Sequence, residues 1–570
     1  MTMTHPDAQP DAQPDQSPST GVKALRALRA TRKRNRLGDI EWFDAAYKVY
    51  IVALFGGFAL AWLSDLVGDE TLTASQAVSV ERHAPAVLGM VAVLAVAAGL
   101  RSGSQGGPLA LEGADVTVVM MSPVPRRAAL LKPAIQRIRG GAFAGGIAGA
   151  VLGQLAGRRL PGTPVAWFAA SGLFGVQLAF LWIGAALIAH ALRVRLWIAT
   201  AITAAAIAWQ AAAIATDVPG LADANGSLAL WGWRQHGIDL AAVGIAVAMV
   251  VIGVVLIART SLEALARRSS LVAQLRFAVT MQDLRTVVLL RRQLAHEQTR
   301  SDPWIRLRPG RAAHPTWRRG WHSLLRFPTS RLVRMGALAI GAAACQVAVV
   351  HGTTPALFGT AALTFVLGME VLEPLSQEID QPDRTDSFPV ERGMLMARHL
   401  IAPAIALVPF AVLAAAAAVI IDAAASDEPR VGAAAAVAAI LAVPTMLAGA
   451  AGAAVSVVRD APDPMAATSQ QTFMPPEMAG MSTMLRTLVP LVVSSLGALS
   501  VLFVVDAVDP QFGTPTAGEA VGAALRGAVM LMLLIAAIGV WVRHRDRLRR
   551  AVRNFMDQGR VHTQQQRSNR

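Results

Sequence analysis

The sequence predicts an all-α integral membrane protein with about twelve transmembrane helices. These are arranged as two parallel six-helix repeats, and both termini are cytoplasmic. Three observations predict this fold class: long apolar blocks, basic residues confined to a few connections, and a motif that recurs in both halves. The chain has 570 residues, of which 54% are hydrophobic and 16% are charged, whereas a soluble domain averages ~25% charged residues. This composition excludes a soluble multidomain enzyme, and the single cysteine, Cys345, excludes a disulfide scaffold.

Apolar blocks long enough to cross a membrane recur along the chain. A helix needs roughly 20 apolar residues to cross the bilayer core, and helix is the plausible state for such long runs because the backbone must satisfy itself in lipid. For the short blocks that begin at Pro85 and Met335, a partly re-entrant segment is the alternative. The predicted spans are 45–66, 85–100, 140–157, 164–192, 196–216, 240–258, 335–350, 355–372, 400–421, 431–458, 488–505 and 520–542.

Arginine and lysine concentrate in three regions, which are the N-terminal segment, the central segment 260–334 and the C-terminal tail. The positive-inside rule assigns these regions to the cytoplasm. The net charge of +15 therefore marks a cytoplasmic face and not a nucleic-acid partner. Arg158 and Arg159 are an exception, since this topology leaves them outside. The predicted organisation is a disordered basic N-terminus over 1–40, a first six-helix half over 41–259, a basic linker with an amphipathic helix (282–299) over 260–334, a second six-helix half over 335–543, and a basic tail over 544–570.

A short motif follows the second predicted span of each half. The first copy, residues 122–127, reads Ser-Pro-Val-Pro-Arg-Arg, and the second copy, residues 387–392, reads Ser-Phe-Pro-Val-Glu-Arg. Each copy comes after several acidic residues and leads into the third span of its half. The same motif at the same place predicts a parallel duplication of a six-helix unit. The matched pairs are Pro123 with Pro389, Val124 with Val390, and Arg126 with Arg392.

Each copy predicts a short amphipathic helix at the cytoplasmic interface. Proline is favoured at the start of a helix because it needs no N–H there, and the residues that follow mix apolar and basic side chains. The alternative is an ordinary basic flank whose side chains snorkel to the lipid headgroups.

The placement of this motif between the second and third of six helices resembles the permease subunits of type-2 ABC exporters. The whole chain resembles more closely the large fused permeases of this kind from high-GC actinobacteria, which carry two six-helix halves in one polypeptide. The bias toward arginine over lysine and the abundant alanine fit that resemblance. Further similar segments are Gln282–Thr286, Leu290–Leu294, Glu373–Leu375 and Met474–Glu477.

The resemblance implies that the motif docks into a groove of a separate ATPase subunit. Residues 122–131 (the first docking element) and 388–396 (the second docking element) would then each contact one of two ATPase copies. Glu391 stands where the first copy has Pro125, so the two contacts would differ. The implied docking residues are Ser122, Pro123, Val124, Arg126 and Arg127, and Phe388, Pro389, Val390, Glu391 and Arg392.

The chain contains no Gly-x-x-x-x-Gly-Lys-[Ser/Thr] phosphate-binding loop. The resemblance therefore implies a permease that is not itself an enzyme and holds no cofactor, with ATP and Mg²⁺ bound by the partner. It also implies a location in the bacterial cytoplasmic membrane and export of an unidentified amphipathic, lipid-like or peptide substrate. No histidine or cysteine spacing predicts a metal site.

Four glycines on the third span recur every fourth residue and form one flat face. Small residues at this spacing predict close packing against another helix. They are Gly141, Gly145, Gly149 and Gly153.

Few polar groups lie inside the predicted spans. Glu370 and Glu373 lie near the inner end of the eighth span, where snorkelling to water suffices. The isolated amides and the thiol are interpreted as contacts between helices and not as substrate ligands. These groups are Gln154, Gln177, Gln210, Gln346 and Cys345.

Two other function classes stay open. A major-facilitator-like secondary transporter shares the helix number and the long basic centre, but its usual Asp-Arg-x-Gly-Arg-Arg-like run is missing from the loop at 101–107. The absence of a row of intramembrane acids also counts against it. A membrane-embedded enzyme needs an acidic pair on a substantial outer loop, and the outer loops here are short.

Overall fold

The structure is a computed structural model. It describes the chain except for residues 1–17, 39–41, 68–72, 112–115, 117–118, 121, 123, 217, 281–285, 288–289, 291–292, 294–298, 307–314, 380, 382, 384, 386, 427–430, 459–487, 509–515 and 569–570. Most of the predicted amphipathic helix at 282–299 and all of Met474–Glu477 lie outside the described residues.

The described chain is helical, and no strand lies among its residues. Helices α1 to α10 are Pro18–Gly38, Trp42–Asp65, Ala74–Ser104, Arg126–Ala156, Pro164–Ala191, Leu196–Thr216, Asp223–Ser227, Trp231–Arg234, Ala241–Val255 and Leu262–Thr280. Helices α11 to α20 are Pro315–Leu324, Thr329–Val350, Ala356–Val371, Glu373–Ile379, Arg392–His399, Ile401–Ala406, Val408–Ala425, Val431–Val458, Leu488–Ala507 and Ala517–Ser568.

The chain divides into two compact units. The first unit comprises residues 1–64 and 71–274, and the second comprises residues 65–70 and 275–570. The main boundary therefore falls inside the segment 260–334 that the sequence assigns to a linker.

Nine helices in the described part of the chain are long and apolar enough to cross a membrane. There are ten if α13 and α14, which meet at a bend of 60°, count as one span. The chain is therefore an all-α protein with the helices of a multi-pass membrane protein. The nine candidate spans are Gln76–Ser104, Pro164–Ala191, Leu196–Thr216, Ala241–Arg259, Thr329–Val350, Arg392–Ala425 (the series α15 to α17), Val431–Val458, Leu488–Ala507 and Ala517–Leu548.

Each of the twelve predicted spans falls on a helix, but two of those helices, α2 and α4, are not among these ten. The two short blocks lie within longer helices, because α3 has 31 residues and α12 has 22. The break in a span occurs instead at Leu372, two residues before Pro374. Proline removes a helical hydrogen bond there and prevents α13 from continuing straight.

One long helix lies at the centre of each unit. In the first unit α5 packs against α3, α4 and α9, and in the second unit α18 packs against α13, α17 and α20. Both central helices have 28 residues and bury one end of their length almost completely. In each unit the predicted fourth span is thus surrounded by the predicted second, third and sixth spans.

Three prolines leave a helical carbonyl without its usual N–H donor, because proline cannot donate to the residue four positions earlier. In each case an arginine from another helix donates to that carbonyl. A buried carbonyl without a donor is costly, so each arginine fixes one helix against another. The contacts are Arg234 Nη2 to Glu81 O (2.6 Å, freed by Pro85), Arg29 Nη2 to Ala129 O (2.8 Å, freed by Pro133), and Arg331 Nη2 to Glu370 O (freed by Pro374).

Candidate functional site

The first docking element runs from a loop into the first two turns of α4. Pro125 precedes the helix with an extended backbone (φ −55°, ψ 126°), and the helix begins at Arg126. Arg126 and Arg127 are both exposed, whereas Ala129 and Leu130 of the same turn are buried. The element therefore presents two cations outward on an apolar base. Pro123 lies outside the described residues.

The second docking element ends in the same way. Glu391 precedes the helix with φ −53° and ψ 130°, and α15 begins at Arg392. Leu395 and Met396, which correspond to Ala129 and Leu130, are also buried. Phe388 and Pro389 are exposed, and Val390 and Arg392 are half-buried. The two elements therefore share the start of the helix, the backbone conformation before it, and the position of the buried pair.

Within the loop of the first element, hydrogen bonds hold the chain in a tight turn. The Ser122 hydroxyl donates to Val119 O at 2.7 Å, and the Val124 N–H donates to Ser122 O at 2.7 Å. In the second element the Phe388 N–H donates to Thr385 O at 3.4 Å. Short side chains with hydroxyl groups favour such local turns because they bond to nearby backbone.

The N-terminal helix α1 contacts the first docking element through one arginine. Arg29 donates from Nη2 to Ala129 O and from Nη1 to Ala128 O, at 2.8 Å and 3.4 Å. Because Pro133 has freed the Ala129 carbonyl, this contact replaces a hydrogen bond that the helix itself cannot make. The sequence predicts a disordered basic segment over residues 1–40, whereas residues Pro18–Gly38 form a helix, and nothing in their spacing indicated this contact.

The C-terminal part of α20 contacts the second docking element. Arg547 donates to both carboxylate oxygens of Glu391 at 2.8 Å and 2.9 Å, and Arg550 lies 3.9 Å from one of them. The hydrogen bond from Arg547 lowers the pKa of Glu391 below its usual value, although the carboxylate is exposed. A Cβ on Gly393 would collide with the backbone of Arg543, so α15 lies directly against α20.

The four glycines of α4 face α5. A Cβ at Gly141 would lie 2.7 Å from Ile183 Cδ1, and the other three positions face backbone oxygens even more closely. The approach is backbone to backbone, which only glycine permits. Gly145 meets Gly175 O, Gly149 meets Ser171 O, and Gly153 meets Trp167 O.

The second unit contains a buried ion network that the sequence interpretation missed. Glu370 was interpreted as a carboxylate that snorkels to water, but its exposed fraction is 1%, and that of Arg331 is 2%. Arg331 Nε lies 3.1 Å from Glu370, Arg334 Nη2 lies 3.0 Å from the same carboxylate, and Arg331 also pairs with Glu373. The interpretation was wrong because a span end can be covered by other helices. The arginines close to the start of α12 were the available signal.

A second charged group lies beside the second docking element. Arg319 of α11 pairs with the buried Glu378 of α14 at 2.7 Å, and His399 Nε2 of α15 lies 3.7 Å from the same carboxylate. Helix α11 packs against α14, α15 and α16. The helix that begins at Arg392 therefore brings His399 beside the Arg319–Glu378 pair of α11 and α14.

No group of three or more metal-ligating side chains occurs in the part of the chain that the structure describes. The site is thus a pair of surface elements on helices, with cationic and apolar side chains.

Comparison of the chain with family models, with curated proteins and with solved structures gives no match.

Proposed function

We propose that this protein is the membrane permease of an ABC exporter, driven by a separate ATPase that docks at the two elements. The observation that carries the proposal is the equivalence of the elements. In both units a loop after the second predicted span enters a helix at an arginine, and the residue before the helix has nearly the same φ and ψ. Two like contacts on one chain fit a two-fold ATPase partner.

The proposed architecture has twelve spans in two parallel six-helix repeats, with both termini in the cytoplasm. The similar arrangement of helices around α5 in the first unit and around α18 in the second supports it. Helix α4, with 31 residues, and the apolar stretch Val49–Asp65 of α2 complete the first set of six. The glycines of α4 lower its hydropathy, and they lie against α5, where close packing requires them.

A basic helix before the first span of each unit gives further support. Helix α1 contacts the first docking element through Arg29, and α11 packs against α15 of the second. The two helices occupy corresponding places in the chain order of their units. Duplication of a six-helix unit with its preceding helix accounts for this correspondence.

The roles then divide between subunits. The partner binds ATP and Mg²⁺, and this chain receives the motion at Arg126, Arg127 and the second element. The membrane is the bacterial cytoplasmic membrane, and the exported substrate is an unidentified amphipathic, lipid-like or peptide molecule. The exposed guanidinium groups of Arg126 and Arg127 suit an acidic groove on the partner.

Affinity purification of the tagged full chain from membranes of its native host tests this function. We expect a soluble ATPase with a phosphate-binding loop to co-purify, and the Arg126→Glu/Arg127→Glu variant to lose it. Arg306→Glu is the matched control, because its side chain is 86% exposed and lies elsewhere in the predicted cytoplasmic region. Normal elution of all three proteins in size-exclusion chromatography shows that the fold is intact.

Two results would overturn the proposal. One is the absence of any ATPase together with transport that depends only on an ion gradient, which would favour the major-facilitator-like reading. The other is equal ATPase recovery with the double variant and with wild type.

A further inference from the structure

The segment between α6 and α9 folds back into the first unit. Its short helices α7 and α8 pack against α3 and α5, and residues Ala222 to Leu230 are largely buried. A Cβ on Gly226 would collide with Pro85 O of α3, so α7 lies in backbone contact with that helix. Buried irregular backbone at this depth brings polar side chains together.

One polar group on this segment is fully paired. Gln210 donates to Ala86 O and to Asp223 Oδ1, both at 2.8 Å, and it accepts from the Ala222 N–H at 3.0 Å. The second oxygen of Asp223 accepts from the Gly220 N–H at 2.6 Å. Each oxygen of these two side chains has a partner, which is the pattern of a structural hydrogen-bond network.

The neighbouring polar group, on α5, α7 and the residues before α9, is not fully paired. Gln177 of α5 donates to Asn225 Oδ1 and to Ala242 O, and the Ser227 hydroxyl donates to Asp239 Oδ1 at 2.8 Å. Gln177 Oε1 and Asp239 Oδ2 are buried and have no hydrogen-bond partner among the described residues. The exposed fractions of the two residues are 1% and 5%. Native proteins rarely leave two such oxygens unpaired.

The chemistry of these oxygens indicates what they bind. The group has one carboxylate, two amide oxygens and one hydroxyl, and its hydrogen bonds join these side chains to one another and to the Ala242 carbonyl. A buried carboxylate needs a compensating positive charge. Hard oxygen ligands suit alkali and alkaline-earth ions, and Ca²⁺ sites commonly use several carboxylates. One negative charge balances one monovalent ion.

We propose that Asp239, Ser227, Asn225 and Gln177 form a binding site for a single alkali cation such as Na⁺. The unpaired Asp239 Oδ2 and Gln177 Oε1 are its principal ligands. The Ser227 hydroxyl keeps its lone pairs while donating to Asp239, so it adds a third oxygen. The bound ion then holds α5, α7 and the start of α9 together.

The cation site is separate from the first docking element. Gly141 of α4 faces Ile183 and Gly153 faces Trp167, so α4 and α5 run antiparallel. Gln177 therefore lies well along α5 from the end that approaches Arg126. Loss of the cation site leaves the ATPase co-purification unchanged, and absence of the ATPase leaves cation binding unchanged.

Binding of ²²Na⁺ to the purified full chain in detergent tests the site. We expect saturable binding of about one ion per chain, competed by unlabelled Na⁺ but not by choline. Asp239→Asn should abolish binding, and Ser227→Ala, which removes only a hydroxyl, should weaken it about tenfold or more. Asp223→Asn is the matched control, because it makes the same change in the fully paired group and should retain binding.

The apparent Tm of the same proteins gives a second measurement. We expect wild type and Asp223→Asn, but not Asp239→Asn, to gain about 2–4 °C in Na⁺ relative to choline at constant ionic strength and pH. The site is refuted if wild type neither binds ²²Na⁺ nor responds to it, since a proton or a buried water then satisfies the two oxygens. It is equally refuted if a folded Asp239→Asn variant binds Na⁺ as wild type does.

Discussion

The two docking elements begin alike and continue differently. In the first unit the helix that starts at Arg126 runs without a break for 31 residues. In the second unit the helix that starts at Arg392 is divided into α15, α16 and α17, with breaks at Leu400 and Leu407. Pro403 accounts for the first break because it removes a hydrogen bond to His399 O.

The elements also differ in what holds them. The first is held by one arginine on backbone carbonyls, and its two cations stay exposed. In the second, Glu391 is bound by Arg547, and the helix lies against α20. The two elements therefore share the geometry of the helix start but differ in the contacts that support it.

The largest expected loss of stability comes from breaking the buried ion network of the second unit. Arg331→Ala removes one of the two arginines that pair with the Glu370 carboxylate and the donor to its carbonyl, and we expect a loss of about 3–5 kcal/mol of stability. The apparent Tm of the purified full chain measures it, with the exposed Arg306→Ala as control, expected within about 0.5 kcal/mol of wild type. Equal Tm values for the two variants would show that the buried ion network does not stabilise the fold.

The helix contact of the third span gives the next largest effect. At the spacing of 266 residues that separates Arg126 from Arg392, the glycines at 145 and 149 correspond to Ala411 and Ala415. Gly149→Leu forces a side chain against Ser171 O, and we expect a loss of about 1–3 kcal/mol or more.

Ala415→Leu in the second unit should cost less, because Ala415 is only half-buried and already carries a methyl group. Gly140→Leu is the control on α4 itself, since a Cβ at Gly140 meets nothing within 4 Å. A thermal-unfolding series of the three variants would contradict the comparison if Gly140→Leu were as damaging as Gly149→Leu.

The contact of α1 with the first element has a smaller expected effect. Arg29→Ala leaves the Ala129 carbonyl without a donor, and we expect a cost of about 1–2 kcal/mol. In a Pro133→Ala background residue 133 has its own N–H for that carbonyl, so the same change should cost less. A double-mutant cycle in apparent Tm measures the difference. Additive effects would mean that Arg29 acts elsewhere.

The pairing of Glu391 gives the smallest effect, because the carboxylate and Arg547 are both exposed. The pKa of Glu391 is lower in the folded chain, so the stabilisation is present at neutral pH and is lost as pH falls through that lowered pKa. We expect Glu391→Gln to lower Tm slightly at pH 7 and not at all in strong acid. A pH series of Tm for both proteins measures this, and a gap that widens in acid would contradict it.

The positions of the helices and the recurring motif could be predicted from the sequence, because both depend on the order of residues within a short segment. The apolar blocks predicted a helix at each of the twelve places, and Arg126 and Arg392 mark the helix starts that proline and the paired motif indicated. Burial of Glu370 did not follow, because its position at the end of an apolar block gives no information on which helices cover it. Likewise, Gln177 was interpreted as a contact between helices, and its unpaired oxygen depends on the fold of residues 223–240.

The sequence by itself determined the all-helical membrane character, the recurrence of the docking motif and the glycine face of α4. These depend on composition and on spacing along one helix. Tertiary structure alone decided that arginines cap the carbonyls freed by Pro85, Pro133 and Pro374, and that charge lies buried around Glu370. The reason is that a buried carbonyl or carboxylate is satisfied by whichever donor the fold brings within about 3 Å, and that donor can be a hundred residues away.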